Sequence, residues 1–201
     1  HAYVGRAPQP YNLPEEPIPA DLDWNQWLGP NPFVHYNSRL NPPVSIDPPL
    51  NEKYWAEWRY FKETGGGFTT DWGAHNFDIG QWGLGKNDSG PVKIIPAGYI
   101  ETDHLTFIYD NGVVMTNQPW DEGKSRGIKF WGDDGWVEVT RSGYAASDDS
   151  LLPEGYNDKN KGLAYESGTG HLDNFVNAVR DRKDPIANIE TGQRTVATCI
   201  L

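Results

Sequence analysis

Eleven of the 16 prolines in this 201-residue chain fall between Pro8 and Pro49, and that clustering constrains its fold more than any other feature. Proline supplies no backbone N–H and holds φ near −65°, so residues 8 to 50 cannot form a long helix or a central strand. The spacing predicts an extended arm over residues 1–50, entered by a short strand-like stretch at "HAYVGRA". Within the arm "DLDWNQWLG" has room for one or two helical turns, with Trp24, Trp27 and Leu28 placed to pin it down.

Residues 51–201 read as the body. "NEKYWAEWRYFKETGGG" sets Tyr54, Trp55, Trp58 and Phe61 at helical spacings, which predicts a short helix released by three glycines. "PVKIIPAGYI", "HLTFIYDNGVVMTNQPW" and "GIKFWGDDGWVEVTR" are β-rich, with Asn111-Gly112 and Asp134-Gly135 as hairpin-turn signals. Residues 142–167 are polar and read as irregular. "GHLDNFVNAVRDRKDP" then predicts an amphipathic helix with Leu172, Phe175, Val176 and Val179 on a buried face, ended by Pro185. Helices, a run of hairpins and helices again argue an α+β domain: an open, mostly antiparallel β-sheet with helices on one face. Hairpin strands offering apolar groups to both sides predict a homo-oligomer through the free face of that sheet.

Charge narrows the function classes. The formal net charge is −11 and the pI about 4.8, which disfavours nucleic acid and anionic membrane surfaces as partners. No apolar run approaches the roughly 18 residues of a membrane span. One cysteine, Cys199, leaves the compartment open, with bacterial cytoplasm and periplasm both compatible. The chain opens on His1 inside a strand-like pattern and stops on apolar residues, so it is expected to be part of a longer protein.

The chemistry concentrates in "GGGFTTDWGAHNFDIGQW", residues 65–82. If 68–82 were one helix, Asp71, His75, Asp78 and Trp82 would lie within about 60° of arc, bordered by Phe68, Trp72 and Ile79. A histidine one turn from a carboxylate is the pair that general-base catalysis uses: the acid fixes the ring tautomer and the other nitrogen takes a proton. The same spacing also serves plain helix salt bridges, and Asp71 could instead cap the helix. Asp71, His75 and Asp78 could supply three metal ligands, but no HExxH or cysteine cluster accompanies them, so no metal is expected. Nine tryptophans and ten tyrosines leave open a non-catalytic carbohydrate-binding domain.

"GGGFTTDWGAHNFDIGQWGLG" resembles the substrate-domain motif of the Gfo/Idh/MocA oxidoreductases, in which a glycine turn precedes Asp-x-x-x-His-x-x-Asp. "LDWNQWLGPNPFVHYN", "WRYFKETGGG" and "HLDNFVNAVRDRKDPIANIETGQRT" are similar to further segments of that family. The resemblance implies the C-terminal domain of a Rossmann-type two-domain enzyme that uses NAD or NADP, with the Rossmann domain absent from this chain. No G-x-G-x-x-G occurs in it. It implies Asp71 and His75 as catalytic residues, and Arg59, Tyr60, Asp78 and His171 as substrate contacts. The implied activity is hydride transfer from a carbinol of a sugar, polyol or glycoside. The alternative within the superfamily is an NAD-dependent glycosidase.

Overall fold

A computed structural model describes residues 1–5, 7–42, 56–100, 102–121, 127–140, 143–152 and 170–201. The chain forms two compact units: residues 4–75 with Ile200, and residues 1–3 with 76–199 and Leu201.

The unit of residues 4–75 is built on the proline-rich segment, which has no long helix or strand over its described residues. Its one helix there, α1 (Trp24–Leu28), is capped by the Asp23 carboxylate, which accepts from Gln26 N–H. Trp24 and Leu28 are buried with Leu13, Val34, Tyr36, Leu40 and Phe61, so the segment carries a core of its own. Buried indole needs a partner for its N–H, and Trp24 Nε1 donates to Val34 O at 2.8 Å. Trp27 stacks on Trp24 with ring centroids 4.5 Å apart. Asn37 Nδ2 donates to Pro14 O and to the Glu16 carboxylate, and the bonds from Ser38, its backbone N–H first, hold that carboxyl below the usual carboxylate range.

The helix expected across Trp58 and Phe61 is instead a 3₁₀ turn, Glu57–Tyr60; Tyr54 and Trp55 lie outside the described residues. The turn stops because Phe61 is extended and flanked by pairing to the arm: Gln9 N–H donates to Tyr60 O and Lys62 N–H to Gln9 O. The single helix expected over 68–82 is divided. α2 (Gly67–Asp71) and α3 (Gly73–Gly83) meet at Trp72, where His75 N–H reaches back three residues to Trp72 O.

Among its described residues the other unit holds two antiparallel sheets, where the sequence suggested one. Strands β2 (Lys93–Ile95), β3 (Thr106–Ile108) and β4 (Val114–Thr116) form one. β1 (Ala2–Tyr3), β5 (Gly127–Gly132), β6 (Gly135–Thr140) and β7 (Gly143–Ala146) form the other, in that order. β7 lies in the stretch expected to be irregular, recruited by pairing Tyr144 against Val139. Gly112, at φ +81°, closes the β3–β4 hairpin, and the Asn111 side chain accepts from Val113 N–H. Between β5 and β6 the loop is Asp133-Asp134, one residue earlier than its turn signal, and Gly135 takes φ +142° as the first strand residue.

From Asn76 on, α3 buries Asn76, Phe77, Gly80 and Gln81 within this unit. A Cβ on Gly80 would lie 2.7 Å from Met115 Sδ, and one on Gly83 2.6 Å from Phe130 Cζ, so glycine permits this close approach. Phe77 meets Phe107 edge-on at 5.2 Å in the core with Ile95, Tyr109, Met115 and Ile128. The opposite face of β5–β6 mixes aromatic rings with charged side chains. Lys129 Nζ lies 3.4 Å from the Trp136 ring centroid and 3.2 Å from Glu138, which also accepts from Trp120 Nε1.

Two helices close the chain, α4 (His171–Asp181) and α5 (Ile189–Ile200), the latter capped by Asn188. α4 ends where Arg182 turns left-handed, φ +55°, ahead of Pro185. The amphipathic pattern of α4 is real, but its stripe is not buried. Leu172 is 79 % exposed and Phe175 57 %, with Val176 and Val179 also exposed; only Ala178 is buried. Periodicity shows that a helix has an apolar face without supplying the surface that covers it.

Candidate active site

The site is organised by how the three glycines bring the chain back on itself. After the 3₁₀ turn, Thr64 Oγ1 donates to Trp58 O and Gly65 N–H to Phe61 O. A Cβ on Gly65 would lie 2.8 Å from both the Trp58 and Arg59 carbonyl oxygens. Gly67 is left-handed, φ +64°, and its missing Cβ would sit 2.6 Å from Pro8 N. What approaches Gly65 and Gly67 is thus the protein's own backbone, from residues 58–59 and 7–8, while Gly66 faces the Thr70 side chain. This close fit starts α2 beside Arg59, and α2 ends on Asp71.

Arg59 is held on two sides. Its guanidinium carbon stacks 4.7 Å over the Trp58 ring, and Nη1 donates to Ala56 O at 3.1 Å. Nε faces Asp71 Oδ1 at 3.7 Å, an ion pair too long to be a hydrogen bond, with both side chains about a quarter exposed. His75 is exposed and its ring meets Trp72 edge-on at 6.1 Å. Among the described residues no hydrogen bond or ion pair joins Asp71 to His75. Asp71 pairs instead with Arg59.

The same unit holds a cavity of about 400 Å³, lined by Ala7, Gln9, Tyr60, Gly67 and Phe68. The rings of Tyr60 and Phe68 are 5.3 Å apart. Aromatic faces with a few polar groups around them are the usual lining of a small-molecule site. Tyr60 is one of the residues the resemblance implies as substrate contacts. Gln9 is not, because nothing in the arm signals that its backbone pairs with Tyr60 and Lys62.

Two other candidates lie in the second unit. Asp78 Oδ1 accepts from Thr195 Oγ1 at 2.6 Å, so this carboxylate ties α3 to α5. Burial, with Asp78 close by, pushes the Cys199 thiol up to about 12. His171 is the exposed first residue of α4. Among the described residues no three His, Cys, Asp or Glu side chains form a group able to hold a metal ion.

A family model described as "Oxidoreductase family, C-terminal alpha/beta domain", of the Gfo/Idh/MocA group, matches residues 3–114, more than half of the chain. The chain belongs to the Gfo/Idh/MocA oxidoreductase family. Comparison with curated proteins and with solved structures gave no match. The Gfo/Idh/MocA match takes in the arm from residue 3, the glycine turn, α2, α3, β2, β3 and the first residue of β4, so the cavity and Arg59, Asp71 and His75 lie inside it. The antiparallel sheets with a few helices agree with the α+β class of that domain. The second sheet beyond β1, together with α4 and α5, lies past the matched span.

Proposed function

We propose that this chain is the substrate-binding half of an NAD(P)-dependent oxidoreductase acting on a carbinol of a sugar or polyol, with His75 as general base and Asp71 as its partner acid. The observation that carries the reading is the exposed His75 and the Arg59–Asp71 pair in the unit that also holds the Tyr60 and Phe68 cavity. Oxidising a carbinol requires a base at the hydroxyl proton, and an accessible imidazole suits that task near neutral pH. Tyr60 and Phe68 offer ring faces to the apolar side of a sugar, while Arg59 and Gln9 offer polar groups to its hydroxyls. Asp78, engaged by Thr195, supports α3 from behind.

A pyrophosphate does not fit at the glycine turn. The space a pyrophosphate would need at Gly67 is filled by Ala7 and Pro8, and the following turn carries Asp71, whose charge opposes a phosphate. We therefore assign NAD(P) to the remainder of the protein.

Steady-state kinetics of His75→Gln in the intact protein, with a parallel cofactor titration, test the assignment. Turnover is expected to fall on the order of 10² to 10⁴-fold with cofactor affinity nearly unchanged. A variant that keeps most of its kcat removes His75 from the role of base.

A further inference from the structure

We infer that the substrate is a glycoside with two ring groups, its carbinol-bearing sugar at His75 and a second, uncharged ring in the cavity of Tyr60 and Phe68. This rests on the reading of His75 as the base and deepens it by naming the class of substrate. The cavity is walled by Ala7, Gln9, Tyr60, Gly67 and Phe68, so His75 and the Arg59–Asp71 pair lie outside its lining. A group seated there is therefore not the one that gives up its proton to His75.

Helix geometry sets the length of a ligand that serves both places. The path from α2 into α3 is nearly continuous: Trp72 keeps helical dihedrals, φ −76° and ψ −25°, its N–H donates to Phe68 O, and His75 N–H donates to Trp72 O. From Phe68 to His75 the seven-residue step is about 10 Å of rise, with only about 20° between the two side-chain directions. The aromatic wall and the base thus share one side of the helical path, two turns apart. That span is longer than one pyranose ring and suits two linked rings.

The lining states what the second ring is like. The cavity, at about 400 Å³, falls within the range of roughly 300–1,000 Å³ of small-molecule sites. Tyr60 and Phe68, with ring centroids 5.3 Å apart, offer aromatic surface, and none of the five lining side chains is charged. An uncharged ring fits such walls better than a phosphate or a carboxylate does. Gln9 Nε2 donates to Ala7 O at 3.2 Å, which orients the amide and leaves Oε1 to accept from a hydroxyl on that ring.

Titrations of the 201-residue chain with methyl β-D-glucopyranoside, phenyl β-D-glucopyranoside and cellobiose, and with the galactose counterparts ending in lactose, test this by backbone ¹H–¹⁵N spectra. In at least one series the two-ring ligands should bind on the order of 10-fold tighter than the methyl glycoside and shift the Gly67 and Phe68 amides. A gain for the phenyl glycoside alone marks an aryl group as the second ring, and a gain for the disaccharide marks a sugar. Phe68→Leu should bring the affinity ratio close to one, and Tyr60→Leu serves if that variant loses a dispersed spectrum. Gln9→Ala, at an exposed position, should weaken the disaccharide more than the phenyl glycoside, whose ring has no hydroxyl. A second ring that adds less than about twofold in both series overturns the inference, as does a gain that survives in a folded Phe68→Leu or Tyr60→Leu chain, or the failure of every one of these ligands to bind. Turnover of a methyl glycoside by the intact protein without any second-ring gain sinks the inference and leaves the oxidoreductase reading standing. A second-ring gain without reduction of NAD or NADP by the intact protein does the reverse.

Discussion

Tyr109 is 1 % exposed, and its hydroxyl is buried with no hydrogen-bond partner among the described residues. Burial pushes its phenol up to about 12, as it does the Cys199 thiol, both from lower ordinary values. In the unfolded chain these groups ionise near pH 10 and pH 9, so the stability that their neutral forms contribute is full below about pH 9. It is lost progressively as pH rises from there through about 12. Tyr109→Phe is expected to be neutral or mildly stabilising at pH 7, because it removes a buried unpartnered hydroxyl, and to flatten the decline above pH 10. Thermal melts of both proteins from pH 7 to 11 check this; a loss of more than about 1 kcal/mol at pH 7 would reveal a partner for that hydroxyl.

Among the elements, α1 and α4 make opposite uses of apolar residues. Trp24 of α1 is 3 % exposed and hydrogen-bonded, whereas Leu172 of α4 is 79 % exposed. Trp24→Ala should therefore cost about 3–5 kcal/mol and Leu172→Gln about 0.5 kcal/mol or less. Urea denaturation of the 201-residue chain gives both values, and a Leu172→Gln cost approaching that of Trp24→Ala would mean that its stripe is covered in solution. The glycine turn is the element on which the site depends. With a backbone nitrogen 2.6 Å from where its Cβ would be, Gly67 tolerates no side chain without moving residues 7–8 or α2.

For the molecule as a whole, the net charge of −11 and the filled glycine turn point the same way on dinucleotide binding. The pyrophosphate needs a glycine turn that opens a helix N-terminus and admits phosphate, with an acid further on for the ribose. Calorimetry with NAD and with NADP on the 201-residue chain is expected to show no binding in the micromolar range. Micromolar affinity for either would place a cofactor site within this chain and would call for a new role for His75.

The sequence by itself determined whatever depends on neighbours along the chain. Proline kept long elements out of the described residues of the first 50, Asn111-Gly112 made its hairpin, Asn188 and Pro185 bounded the closing helices, and the glycine-Asp-His segment announced both the family and the candidate residues. Tertiary structure decided everything that required two distant segments to meet. It gave Asp71 to Arg59 instead of His75, put Pro8 against Gly67, tied Asp78 to Thr195, split the strands into two sheets and left the α4 stripe uncovered. Periodicity reports which residues share a face of one element. Which partner a charge or an apolar face finds is set by packing between segments, and no local pattern in the chain encodes that choice.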